Sequence, residues 1–317
     1  MPTQNDSSPE IATEQGIAAF HANRSQPELL AAPTTASEFN TIGLDLIPVA
    51  CLCLADGAFE FDSSFVTPQA GKVLSKLPAL REKRKDKAGQ LPPVSVFGHA
   101  DPTGTDEYNK QLSGRRAIAV CGLITHNTSI WQKLYDQPLG EDNWKTKSVN
   151  AAMCSATGMA EGTPFSSMAS AYMTALFPLQ LTPSDFLAQG ADSGGKGDYQ
   201  GCSDFNPLLL LTDTAERDLP REERDARNRS NRRVVIYLFR PGTVVAAKLW
   251  PCPRVAEPAA GCHLRFFSNG NARRSPGNVQ REHAELQGTP DDTFACRFYA
   301  RIGDLAFLTE LAEQLNR

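Results

Sequence analysis

Six consecutive apolar residues, Val234-Val235-Ile236-Tyr237-Leu238-Phe239, follow directly on Arg232 and Arg233. An unbroken run of β-branched and aromatic types predicts a strand apolar enough to lie in the middle of a sheet. Residues 44–53 and Val94-Ser95-Val96-Phe97, the latter after Pro92-Pro93, predict two further strands. Additional strand-like runs lie at 243–250, 262–268 and 293–299. Phe59 and Phe61 alternate in a short extended stretch ahead of Phe65. Thr67-Pro68 predicts a helix start, with a capping hydroxyl and Pro at the first helical position. Asp106 is placed to cap a second helix reaching about Ile124, with Tyr108, Leu112, Ala119, Val120 and Leu123 on its buried side. One or two helices are expected within 148–176, another from Thr182-Pro183-Ser184-Asp185, and a closing one from Asp304.

Composition narrows the classes of function. The 317 residues are 41% hydrophobic and 21% charged, close to a soluble globular average. A net charge of -4 argues against a broad basic surface, so no nucleic-acid partner is expected. Residues 1–15 are polar and lack a basic cluster followed by an apolar run, so no cleavable secretory leader is read there. The longest early apolar stretch, 43–55, is interrupted by Asp45 and falls short of the ~20 residues of a transmembrane helix. None of the eight cysteines forms a CxxC pair, and no metal or cofactor is assigned. A disulfide among Cys252, Cys262 and Cys296 fits an oxidising compartment.

The chemistry concentrates in Gly98-His99-Ala100-Asp101-Pro102-Thr103-Gly104 and in Tyr108-Asn109 with Leu112-Ser113-Gly114-Arg115-Arg116-Ala117. This reads as strand, glycine-bounded loop and helix. Asn109, Leu112 and Arg116 are spaced by three or four and share one helix stripe, which can face Asp101 in the loop. A carboxylate, an amide and a guanidinium around one cleft suit a zwitterion: Asp101 pairs with an ammonium, and Arg116 with a carboxylate in a bidentate fork. The alternative is an internal Asp101–Arg116 pair that ties loop to helix.

These blocks, with Asn231-Arg232-Arg233-Val234 leading into the central strand, resemble the signature of the OmpA C-terminal-like domain family. Phe61-Asp62-Ser63-Ser64 and Thr67-Pro68 resemble its first strand and helix start. The resemblance covers about 57–125 and 198–240. It implies an α+β fold: an OmpA-like βαβαβ core with a mixed sheet, a helical insertion and a β-rich C-terminal region. The boundaries read as a flexible arm at 1–43, core at 44–126, insertion at 127–195, core again at 196–240 and an extension at 241–317. The insertion carries Trp131 and Trp144 but not the glycine-aspartate pattern of a small helical peptidoglycan-binding module.

The resemblance implies non-catalytic binding of peptidoglycan through the diaminopimelate, or a similar residue, of the stem peptide. Asp101 would hold the ammonium and Arg116 the carboxylate. Asn109 and Leu112 would shape the cleft, and Arg233, or else Arg232, would border it. Two departures stand out. Ala100 replaces a hydroxyl residue, though its backbone amide remains, and Asn228 stands where the family has an arginine. A protein partner would be met through the arm or the C-terminal region, in the cell envelope or periplasm facing the wall. The other reading is a component of a secretion or contractile injection apparatus that reuses the fold for protein contact. A wall hydrolase is the least favoured, since no HExxH, GxSxG or recognisable Cys/His pair is present.

Overall fold

The computed structural model describes residues 48–191, 197–205, 218–244 and 254–263. Four strands form one mixed sheet: β1 (Pro48–Ala55), β2 (Val94–His99), β3 (Tyr199–Gly201) and β4 (Arg233–Phe239), ordered β1-β4-β2-β3. β4 runs antiparallel to both neighbours, and β2 pairs in parallel with β3. The long apolar run therefore does lie inside the sheet, and every residue of β4 is buried. Register sets Ile236 between Leu52 and Val96, and Val234 between Leu54 and Gly98. This face carries the main core. By the two-residue period of a strand, Arg233, Val235, Tyr237 and Phe239 project from the other face.

Eight α-helices, with 3-10 turns at Asp56–Ala58 and Pro183–Asp185, accompany the sheet among the described residues: α1 (Gln69–Leu74), α2 (Leu77–Lys83), α3 (Asp106–Ile124), α4 (Thr128–Asp136), α5 (Lys147–Thr157), α6 (Phe165–Leu176), α7 (Arg221–Asn228) and α8 (Ala260–His263). Three helix starts differ from expectation. The Thr67 hydroxyl donates to the Gly57 carbonyl (2.9 Å) rather than capping α1. Thr105, not Asp106, caps α3 by accepting from the Tyr108 amide (3.2 Å), which leaves Asp106 in the first turn to complement the helix dipole. Thr182 and Asp185 form a reciprocal capping box, but the turn they close runs only over Pro183–Asp185.

α3 lies against β2 and β3 with almost no space between backbones. A Cβ on Gly98 would fall 1.9 Å from the Ser113 carbonyl oxygen, and one on Gly201 would fall 2.7 Å from that of Lys110. Glycine at these strand positions is what lets the helix backbone approach.

The insertion does not stand apart from the core. Trp131 of α4, Trp144 and Tyr172 of α6 surround Phe65, with ring centroids 6.3, 5.5 and 5.7 Å away. Their polar ends are all engaged: Trp131 Nε1 donates to Ala119 O (2.8 Å), Tyr172 Oη to Val66 O (2.9 Å) and Trp144 Nε1 to Ser64 Oγ (3.0 Å). Large rings with satisfied donors contribute burial without stranding a polar atom. Of the expected C-terminal extension, 241–244 and 254–263 are described. Cys262 and His263 lie in the helical turn α8 rather than in a strand. The expected arm, the strand at 293–299 and the helix from Asp304 fall outside the described residues, as do Cys252 and Cys296.

Candidate functional site

The loop after β2 delivers Asp101, and the residue before β4 delivers Arg232. Asp101 Oδ1 accepts from the Thr103 amide (2.9 Å) and Oδ2 from Arg232 Nη1 (2.5 Å). Asn109 Nδ2 donates to the Asp101 carbonyl (3.0 Å), so this α3 amide fixes the loop from beneath. The Asp101–Arg116 pair left open by the sequence does not form; Arg232 takes that place.

Arg232 also forks onto Asp56, with Nε–Oδ1 at 2.9 Å and Nη2–Oδ2 at 3.1 Å. Its Nη1 reaches Asp225 Oδ1 of α7 at 2.9 Å. Burial works against the charge on Arg232, but hydrogen bonds to Asp56 and Asp101 outweigh it and hold the guanidinium above its ordinary pKa. Three carboxylates converge on this one guanidinium, and Asp56 also has Arg229 Nε at 3.8 Å. Each Asp101 oxygen also retains a second acceptor position.

Strand parity explains the choice between neighbouring arginines. Val234 faces the main core, so Arg232, two residues earlier, projects to that side and Arg233 to the opposite one. Arg233 is buried there, its Nη1 on the Asn231 carbonyl (3.2 Å). The structure thus brings Arg232, rather than Arg233, to Asp101.

Arg116 is only 2% exposed, yet only its Nε is hydrogen-bonded. Nε donates to the Ser63 carbonyl (2.8 Å), and the guanidinium lies 5.2 Å from the centre of the Phe59 ring. Among the described residues, Nη1 and Nη2 make no hydrogen bond. Burial lowers its pKa, opposed by the charges of Asp56 and Asp142. A guanidinium remains charged under any ordinary condition, so this is a cation with two unengaged donor nitrogens.

Leu112 is buried between Asn109 and Arg116 on the same α3 stripe. Ala100 is buried, and its amide is spent on the Ser203 carbonyl (2.8 Å), so it is not left over for a ligand. Asn228 ends α7, buried, where its Oδ1 accepts from Asn231 Nδ2 (3.3 Å). Sequence reasoning missed Asp56, Asp225 and Asp142. Asp56 lies 176 residues from its arginine, and no local pattern marks that pairing.

The OmpA family model matches residues 58–133, from just after β1 into α4. The chain carries an OmpA-family domain. Peptidoglycan-associated lipoprotein of Pseudomonas aeruginosa is 44% identical over 62 residues, 20% of this chain and 33% of that protein. Outer membrane protein A of Bordetella avium is 28% identical over 89 residues, 28% of this chain and 43% of that protein. Outer membrane protein 41 of Porphyromonas gingivalis is 37% identical over 60 residues, 16% of this chain and 15% of that protein. The chain therefore spans less than half the length of these curated relatives. No solved structure matches. Within the OmpA-family domain fall Asp101, Asn109, Leu112 and Arg116, whereas Arg232 and α7 lie beyond the matched residues. No helix among the described residues is long and apolar enough to cross a membrane.

Proposed function

We propose that the protein binds peptidoglycan without cutting it, through the zwitterionic centre of the stem peptide's diaminopimelate or a similar residue. The observation that carries this reading is a cation with unengaged donors, within electrostatic reach of Asp56 and Arg232, in a neighbourhood where several carboxylates converge. Arg116 offers unengaged Nη donors, while Asp101, Asp56 and Asp225 converge on Arg232 and Asp101 keeps unused acceptor positions. A carboxylate would form a fork on Arg116, and an ammonium would take the second acceptor positions of Asp101. The printed name of the Pseudomonas relative supports the same ligand class.

Taking the ligand's charges out of water offsets much of what its ion pairs gain, so affinity at one site is modest and a polymeric wall supplies avidity. Tethering then needs a second contact, which we place in the N-terminal arm or the C-terminal extension. On this reading the protein works in the cell envelope, facing the wall.

The test is co-sedimentation of the purified protein with isolated sacculi. Wild type pellets with them, and the Asp101→Ala, Arg116→Ala double variant stays in solution while keeping its circular dichroism spectrum. Equal pelleting of both would overturn the site. Failure of wild type to pellet would favour protein contact in a secretion or injection apparatus. Released muropeptides in the supernatant would make the protein a hydrolase.

A further inference from the structure

The insertion places one fully buried carboxylate, Asp142, directly behind the segment that holds Arg116. It accepts five hydrogen bonds: Ser63 Oγ (2.8 Å), Ser64 amide (2.8 Å), Ser64 Oγ (2.7 Å), Arg115 Nε (2.5 Å) and Trp144 Nε1 (3.2 Å). One of these bonds matters most. The Ser64 N–H and the Ser63 C=O belong to the same peptide unit, and in a trans peptide they point in opposite directions. Anchoring that N–H on Asp142 turns the Ser63 carbonyl toward Arg116 Nε, 2.8 Å away. Nε is thereby occupied, and the guanidinium plane is fixed with Nη1 and Nη2 left unengaged.

Two further contacts fit the same arrangement. Asp62, just before this unit, is a non-glycine residue at φ 49, and its Oδ1 accepts from Tyr108 Oη (2.9 Å). Gly140 of the 139–142 turn, at φ 56, lies against the Tyr108 ring, where an added Cβ would come within 3.2 Å of Cε2. The turn therefore grips both the 62–64 segment and the first turns of α3.

We infer that Asp142 is a positioning residue for the ligand-carboxylate subsite: through the Ser63–Ser64 peptide it sets the orientation in which Arg116 meets the ligand. The insertion is then a working part of the binding site rather than an appendage. This rests on the reading of Arg116 as the carboxylate-binding group.

The test measures the apparent affinity of the full-length protein for isolated sacculi, with free meso-diaminopimelate as competitor. An asparagine offers one acceptor oxygen to five donors, so Asp142→Asn weakens binding about tenfold, within the range of coupled neighbours. In an Arg116→Ala background the same substitution has no further effect, because its route to the ligand is already gone. Tyr172→Phe removes a hydrogen bond in the same insertion core and lowers stability without changing affinity, which separates positioning from general loosening. If Asp142→Asn does not fold, Asp142→Glu keeps the charge, shifts the carboxylate, and is expected to weaken binding likewise. Wild-type affinity in a folded Asp142 variant, or losses that multiply in the double variant, would overturn the inference. Wild-type affinity in Arg116→Ala would instead overturn the reading it rests on.

Discussion

Replacing Arg232 with methionine tests how strongly the site is built. The side chains of Arg232 and Asp101 are each 10% exposed, that of Asp56 is 24% and that of Asp225 is 47%. Deleting one member of a buried pair costs ~3–5 kcal/mol, because the other charge is left uncompensated. Here Asp101 bears nearly that full effect. Asp56 is better hydrated and keeps Arg229 at 3.8 Å, and Asp225 is half in water. The low end of the range applies, about 3 kcal/mol at neutral pH. Arg232→Lys keeps the charge but not the fork on Asp56, and the expected loss is about 1 kcal/mol. Urea denaturation followed by tryptophan fluorescence is a suitable assay, since Trp131 and Trp144 are both buried. The midpoint should fall with the slope unchanged. A loss below ~0.5 kcal/mol for the methionine variant would refute the argument, because that is the size of an ordinary surface substitution.

Two further outcomes follow from the packing. Phe65→Ala, at the centre of the rings that join insertion to core, is expected to cost ~3–5 kcal/mol and to shift one cooperative unfolding transition; a second, separate transition would show the insertion to be an independent unit. Burial raises the Asp185 pKa, but hydrogen bonds from Thr182 and Arg81 outweigh it and hold the group below its ordinary value. Its stabilisation is thus present above the usual carboxylate range of about pH 4 and is lost as pH falls through the lowered value. The stability gap between wild type and Asp185→Asn should close on acidification, and a gap that widens would refute the assignment.

Local patterns made part of this molecule legible. The apolar run at 234–239 announced its central place, and Gly98 with the Asp101–Arg116 spacing announced a strand, a loop and a helix. The cap of α3 was misplaced by one residue, because Thr105 and Asp106 are both good caps and only the geometry distinguishes them. The choice between Arg232 and Arg233 depended on which way the β4 pleat faces. No residue type reveals that before the neighbouring strands are known. Asp56 and Asp142 were illegible for a different reason. A carboxylate that closes a contact across 27 or 176 residues leaves no periodic trace. The insertion looked separable because its excess length interrupts the motif, whereas its rings are shared with Phe65 and its Asp142 with Ser63 and Ser64.

The strand order has a consequence for how the chain reaches this state. β1 and β2 do not touch; the space between them is filled by β4, whose last residue is Phe239. A chain emerging from the ribosome or crossing a membrane from its N-terminus therefore carries two open strand edges until Arg233–Phe239 has appeared. Such edges invite pairing with other chains, and a contact this distant in sequence is slow to close. Arg232 arrives with the same segment, so Asp56 and Asp101 wait for their shared cation until that moment. Sheet closure and completion of this charged cluster are in effect one late event, and a holding factor or a protected environment would act on the chain before it.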